Sequence, residues 1–276
     1  MMKQRAQVSI GFIGGGNMAG AIIAAIIKKK IFPASAIGVS DLDRRRLSQL
    51  RRQYKITPFP DNQLLTRKSP ILILAVKPQQ MKEVIKGIQV LVNQKQLLIS
   101  IAAGLDTHYF KKSLASSMRL IRAMPNAPAL IGEGATALYA SPQTTEADKE
   151  LALKIFSATG KALFVPEEEW LDVVTAISGS GPAFVYSFLD AMVKAGLKWK
   201  LPEEVTLPLI VQTFIGSAKM VEKLSESLPS LIEQVASKGG TTEAGLQVMA
   251  ERGFANLVEG VVEAAVKRAR ELRRRG

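Results

Sequence analysis

Between Ser9 and Gly20 the sequence reads Ser-Ile-Gly-Phe-Ile-Gly-Gly-Gly-Asn-Met-Ala-Gly, and few folds accommodate such a stretch. An apolar run suited to a buried strand breaks into glycines, then resumes from Ala21 to Ile27 as a segment apolar enough for a helix packed on a sheet. This is the strand-turn-helix of a dinucleotide site. Gly14 permits the tight turn, Gly16 lets the backbone approach a pyrophosphate, and Ala19 lets the helix lie close to the strand. Free N–H groups at the helix start, carrying its partial positive charge, favour a bound phosphate. Glycine turns are common, but this one follows an apolar strand and opens a helix, so a dinucleotide site is favoured over an ordinary turn.

The rest of the first half alternates. Ala36 to Ser40 reads as a second strand and Arg44 to Tyr54 as a charged amphipathic helix. Strands follow at Ile71 to Val76, Leu97 to Ile101 and Met118 to Arg122, with helices at Gln79 to Ile88 and Thr107 to Leu114 between them. Alternation of this kind predicts a parallel sheet. Gly134 to Ala140 and Ala162 to Val165 add two strand candidates around a helix from Glu146 to Thr159. Beyond Pro166 only helical periodicities remain: Glu168 to Ala176, Pro182 to Leu197, Glu203 to Leu224, Leu231 to Ala236, Thr242 to Arg252 and Phe254 to Arg274. The expected boundary therefore divides an α/β domain, residues 1–166, from a helical one, residues 167–276. In the last helix Phe254, Leu257, Val258, Val261, Val262, Ala265 and Val266 form an apolar stripe that suits either a core or a second copy of the chain.

Composition removes several chemistries. There is no cysteine and His108 is the sole histidine, so a disulfide framework, a thiolate nucleophile and a multi-histidine metal site lack their parts. No apolar run reaches the length of a membrane span and no leader pattern stands at Met1 to Gln7, so a cytoplasmic protein without membrane contact is expected. The net charge of +13 is the best argument for a nucleic-acid binder. Much of it is local, however: Lys28 to Lys30 end one helix, and Arg268, Arg270, Arg273, Arg274 and Arg275 crowd another. Solvated helix ends are the preferred reading, and no nucleic acid is expected.

Four further segments carry chemistry. Where the second strand ends, Ser40 and the run Arg44 to Arg46 suit a 2′-phosphate, whereas Asp41 suits a free ribose; NADP is favoured and NAD stays open. Ala75-Val76-Lys77-Pro78 and Ser100-Ile101-Ala102-Ala103-Gly104 stand just past strand ends, on the edge where open sheets bind ligands. Met124 to Ala129 is a rigid loop offering Asn126. In the helical half, Ser237-Lys238-Gly239-Gly240-Thr241-Thr242 opens a helix with glycines, amides and hydroxyls that suit a small carboxylate.

Taken together these motifs resemble the pyrroline-5-carboxylate reductases, over nearly the whole chain. The segments that carry the resemblance are Ile10 to Ala19, Ala75 to Pro78, Ser100 to Gly104, Met124 to Pro128, Thr175 to Ala183 and Val235 to Leu246. Lys238 departs from it, standing where the family usually has proline, and Asp41-Leu42 stands where many members have an asparagine and an arginine. The resemblance implies a Rossmann-type dinucleotide-binding domain followed by an all-α dimerisation domain, hence a homodimer or larger ring. It implies reduction of 1-pyrroline-5-carboxylate to L-proline with NADPH or NADH. By the same resemblance Ile13, Gly14, Gly15, Gly16, Asn17 and Met18 cradle the pyrophosphate. Ser40 and Arg44 meet the ribose or its phosphate; Asn62, Ala75, Val76, Lys77, Pro78, Ile101, Ala102 and Ala103 line the rest of the cofactor. Asn126, Ser237, Gly239, Gly240 and Thr241 hold the substrate, with Thr242 at the ring nitrogen as the catalytic group. A hydroxyacid dehydrogenase, with Lys194 or Lys219 as proton donor, is the rival enzyme.

Overall fold

The computed structural model describes residues 8–114 and 118–275, the last by its backbone alone. Met1 to Gln7, where no leader is expected, lie outside the described residues, as does the side chain of Arg275.

The first strand, β1 (Ile10–Ile13), is buried along its whole length, and α1 (Asn17–Lys28) turns Ala19, Ile22, Ile23 and Ile26 onto it. Next come β2 (Ile37–Ser40) and α2 (Arg44–Tyr54); the Asp43 side chain caps α2 by accepting from the amides of Arg45 and Arg46. Two elements the periodicity does not reveal follow: β3 (Thr57–Pro58), too short to alternate, and α3 (Asn62–Lys68), a two-turn helix capped by Asp61. The series continues with β4 (Ile71–Leu74), α4 (Pro78–Ile88), β5 (Leu97–Ser100), α5 (Thr107–Ser113) and β6 (Arg119–Pro125). A 3-10 turn at Ala127–Ile131 leads to β7 (Gly134–Ala140), α6 (Glu146–Ser157) and β8 (Gly160–Phe164).

Among the described residues these strands build one eight-stranded sheet in the order β3-β2-β1-β4-β5-β6-β7-β8. Adjacent residues face opposite sides of it. Phe12, Ile73, Ile99 and Ile121 join α1 and α6 in one core layer; Ile13, Leu72, Leu74, Leu98 and Leu120 join α4 and α5 in the other. The expectation of a parallel sheet needs one correction. β1 to β6 are parallel, but β7 runs antiparallel to β6, with β8 parallel to β7. The link from Asn126 to Glu133 is too short for the crossover that a parallel neighbour demands.

The remaining helices are α7 (Trp170–Val174), a π turn at Thr175–Gly179, α8 (Gly181–Lys198), α9 (Glu203–Lys223), α10 (Leu228–Val235), α11 (Thr241–Glu251) and α12 (Phe254–Arg275). Compactness groups residues 1–180 with 265–276, and 181–264 by themselves. That division differs from the expected one at 166/167. Leu171 on α7 joins Ala137 and Val165 in a small core against the sheet, so α7 belongs with the strands although its sequence is helical. In the helical unit Phe188 meets Phe214 and Phe254 at ring-centroid distances of 5.7 and 6.3 Å. Much of that unit's apolar surface is exposed, Tyr186 and Leu209 at 60% and Leu257 at 64%. The stripe read on the last helix thus starts in the open: Phe254, Leu257, Val258 and Val261 are all exposed.

Candidate active site

The glycine turn sits where the strand order reverses, between β1 and β4, the position at which open α/β sheets bind ligands. Gly14 has φ +96°, and a Cβ on it would lie 2.7 Å from the Ala75 carbonyl oxygen, so no side chain fits. Its amide donates to Ser40 O at 2.8 Å, and that of Ala75 to Ile13 O at 2.8 Å, which ties the ends of β1, β2 and β4 together. Gly16 is the N-cap of α1 and supplies no side-chain bond, so the first amides of α1 stay open to a ligand. Nothing lies within 4 Å of a Cβ built on Gly16: the space over the turn is free, and a side chain would enter it. These features fit a diphosphate. Asn17 is exposed and Met18 half-buried beside them, whereas Ile13 is a core residue whose side chain faces away from the cleft layer of α1.

At the end of β2 the side chains are already engaged with each other. Ser40 is buried and donates to Asn62 Oδ1 at 2.7 Å, so its hydroxyl braces the start of α3 and is not presented to a ribose. Asp41 accepts from the amide of Gly15 at 2.6 Å and of Asp43 at 2.8 Å. Arg46 donates from Nε to Gly15 O at 2.6 Å and from its Nη2 to Asn17 Oδ1. Both polar groups of the Gly15 residue are therefore held from the β2–α2 segment. Arg44 remains exposed and, with Asp41, Leu42, Arg51 and Phe59, lines an open cleft of about 530 Å³. The run Arg44 to Arg46 read as one feature in sequence is thus split by the helix into different directions.

On the next strand ends, Ala75 and Val76 are half-buried, Lys77 is the exposed N-cap of α4, and Pro78 its first residue. One strand further, the amide of Ile101 donates to Leu74 O at 3.2 Å and that of Ala102 to Ser100 Oγ at 3.3 Å, with Ala103 half-buried after them. Asn126 departs from expectation. Its Nδ2 donates to Ser178 O at 3.2 Å and Oγ at 3.3 Å, and its Oδ1 accepts from the Ala135 amide at 2.8 Å. It clamps β6 to β7 and to the π turn with one N–H and one oxygen lone pair of its amide.

In the helical unit α11 begins behind Gly240, an N-cap with no side-chain bond. The amides assigned to a carboxylate by resemblance are partly occupied: Gly239 N donates to Glu243 Oε2 at 2.6 Å and Gly240 N to Ser237 O at 2.9 Å. Ser237 is bound into the loop in this way. Thr241 is exposed and Thr242 half-buried at the first two helical positions, and the Thr242 hydroxyl takes no partner among the described residues. Lys194, the rival proton donor, is exposed and paired with Asp190 at 2.6 Å one turn away on α8; Lys219 is exposed on α9.

The sequence does not announce a polar network behind β5 and β6. Arg122 on β6 and Glu168 pair at 2.9 Å with 6% and 13% of their side chains exposed. Glu168 also accepts from Thr107 N at 2.7 Å and Thr107 Oγ1 at 2.6 Å, ahead of α5. Glu168 reads in sequence only as the start of a helix, and its partners on β6 and ahead of α5 lie 46 and 61 residues away in the chain. Among the described residues no group of His, Cys, Asp and Glu is placed to hold a metal, and no helix is long and apolar enough to cross a membrane.

The sheet order, the open glycine turn at its reversal and the added helical unit define a dinucleotide-dependent oxidoreductase in class. Consistently, residues 9–104 match the family model described as NADP oxidoreductase coenzyme F420-dependent, and residues 168–272 that described as pyrroline-5-carboxylate reductase dimerisation. The chain is 38% identical to the pyrroline-5-carboxylate reductase of Haemophilus influenzae, over 95% of this chain and 97% of that one. Among solved structures, a pyrroline-5-carboxylate reductase from Coxiella burnetii superposes with a TM-score of 0.91 at 34% identity, covering 96% of this chain and 98% of that one. The Plasmodium falciparum pyrroline carboxylate reductase, solved with NADP bound, gives 0.86 at 29% identity, covering 97% and 99%. The chain belongs to the pyrroline-5-carboxylate reductase family, NAD(P)H-dependent enzymes that form L-proline.

Proposed function

We propose that this chain reduces 1-pyrroline-5-carboxylate to L-proline, with NADPH as the preferred cofactor and NADH accepted. The observation that carries the reading is a pair of helix starts, α1 behind Gly16 and α11 behind Gly240, both capped by glycine and free of a side-chain cap. One suits a diphosphate, the other a small carboxylate.

At the first, the amides opening α1 at Asn17 and Met18 hold the diphosphate, Arg46 adds positive charge beside the turn, and Arg44 takes the 2′-phosphate in its cleft. Ala75 to Pro78 and Ile101 to Ala103 line the nicotinamide half. When bound, the nicotinamide supplies the hydride. At the second, the free amides of Thr241 and Thr242 hold the substrate carboxylate, in place of the occupied amides of Gly239 and Gly240. The Thr242 hydroxyl, unpartnered among the described residues, steadies the ring nitrogen. A protonated imine is electrophilic enough that a neutral hydroxyl suffices, and orientation is the protein's main contribution.

The exposed apolar side chains of α8, α9 and α12 bury against a second copy, so the working form is a homodimer or a larger homo-oligomer in the cytoplasm. Oxidation of NADPH and of NADH, each followed spectrophotometrically with 1-pyrroline-5-carboxylate, tests the reaction. A protein that binds NADPH yet oxidises neither cofactor with this imine overturns it.

A further inference from the structure

The last turns of α12 group with the sheet, and what they touch is the β5–α5 loop. Gly104, at φ +73°, lies so close to Leu272 that a Cβ built on it would be 3.2 Å from the Leu272 Cβ and 3.5 Å from its carbonyl carbon. One residue on, Arg273 reaches Asp172 Oδ2 at 3.1 Å and Glu169 Oε1 at 3.5 Å. Asp172 is 3% exposed, and that oxygen takes no hydrogen bond among the described residues. A carboxylate so placed depends on its counter-charge. Ala269, one turn earlier on α12, is buried as well. At its other end the same loop is held by Glu168, which grips the Thr107 amide and hydroxyl while anchored to Arg122. Residues 101–107 are thus fastened twice to the short acidic stretch 168–172, once directly and once through α12.

We infer that Leu272 and Arg273 are positioning residues for the nicotinamide half of the cofactor: the end of α12 presses the β5–α5 loop into place. This rests on the proposed lining of that half by Ile101, Ala102 and Ala103. The side chains of Leu272 and Arg273 do not belong to the diphosphate turn or to the ribose cleft. Their effect is therefore on the geometry of the loop, shared by NADPH and NADH, and not on the choice between the two.

The test compares the full-length chain with Leu272→Gly, Arg273→Gln, Arg273→Lys and the double variant Arg273→Gln/Asp172→Asn, reading kcat, KM for each cofactor and Tm. Arg273→Gln is expected to lower kcat/KM on the order of ten-fold for NADPH and NADH alike, as misplacement of a lining loop does. Arg273→Lys recovers part of that loss. Neutralising both charges restores Tm but not kcat/KM, and Leu272→Gly, which removes the Cβ abutting Gly104 and leaves both ion pairs intact, shows the kinetic loss with only the small fall in Tm of a glycine near a helix end. Wild-type kinetics in Leu272→Gly and in the double variant would overturn the inference and leave the helix end a purely stabilising contact. If the unmodified chain does not turn over 1-pyrroline-5-carboxylate, the proposed reaction fails instead; NADPH affinity by fluorescence titration then replaces kcat/KM, with the same ranking of variants expected and equal affinities overturning it.

Discussion

The carboxylate of Asp41 accepts a hydrogen bond of 2.6 Å from the backbone amide of Gly15, joining the residue just past β2 to the middle of the dinucleotide turn. Its other oxygen accepts from Asp43 N. An acid at this position reads in sequence as a ribose ligand, and the structure gives it an architectural task as well. With Arg46 on the Gly15 carbonyl, the turn is braced from the same segment by an anion on its N–H and a cation on its C=O.

Asp41 and Arg44 line the same cleft, to which the proposed function assigns a 2′-phosphate. Asp41→Asn keeps an oxygen for the Gly15 amide, gives up the bond from Asp43 N, which weakens both cofactors alike, and removes the repulsion. The ratio of kcat/KM for NADPH over NADH is expected to rise about ten-fold, equivalent to roughly 1.4 kcal/mol. Steady-state kinetics with both cofactors checks it, and an unchanged ratio takes Asp41 out of cofactor selection.

Arg46 touches the turn and not the ribose cleft. Arg46→Gln should therefore weaken NADPH and NADH in equal proportion, on the order of ten-fold for the loss of charged hydrogen bonds. Fluorescence titration with each dinucleotide measures this. A loss confined to NADPH would show that Arg46 reads the 2′-phosphate instead.

Thr242→Val keeps the shape of the side chain and deletes its hydroxyl. Turnover of 1-pyrroline-5-carboxylate should fall by about ten- to a hundred-fold, with NADPH affinity unaltered. Since the hydroxyl has no partner among the described residues, Tm should also stay put. Undiminished turnover removes Thr242 from the mechanism.

Burial raises the Asp172 carboxyl above its ordinary value of 3.8, against the opposing pull of Arg273, Arg122 and Arg270 and with Glu169 adding to the rise. A carboxyl whose pKa is higher folded than unfolded binds more protons in the folded state between the two values. Stability attributable to it is hence greatest below the unfolded pKa and declines as pH climbs through the folded one. Chemical denaturation across that window should show this decline in the wild type, and Asp172→Asn should flatten it. A parallel pair of curves would mean that the Arg273 pairing cancels the burial.

Much of the architecture was legible because it rests on local periodicity. Arg44–Tyr54 and Gly134–Ala140 appear with the boundaries read from sequence, and the glycine turn stands between β1 and α1 as its spacing demands. β3 and α3 escaped because two residues cannot show alternation and two turns barely show a stripe. Ser40 and Asn62, read as separate cofactor contacts, proved to be partners of each other. Asn126, read as a ligand, has a structural task besides, clamping β6 to β7 and to the π turn.

From the order of its residues alone, this chain was bound to place a glycine turn after a buried strand, to alternate strand and helix up to Pro166, and to continue in helices with apolar stripes. Those properties depend on neighbours three or four positions away. Which polar atoms remain available to a ligand was decided only by the folded arrangement. Asp41 meets Gly15, Glu243 meets Gly239 and Arg273 meets Asp172 through orientation or across long separations in the chain, and a hydrogen bond already made inside the protein is one that a bound molecule cannot use.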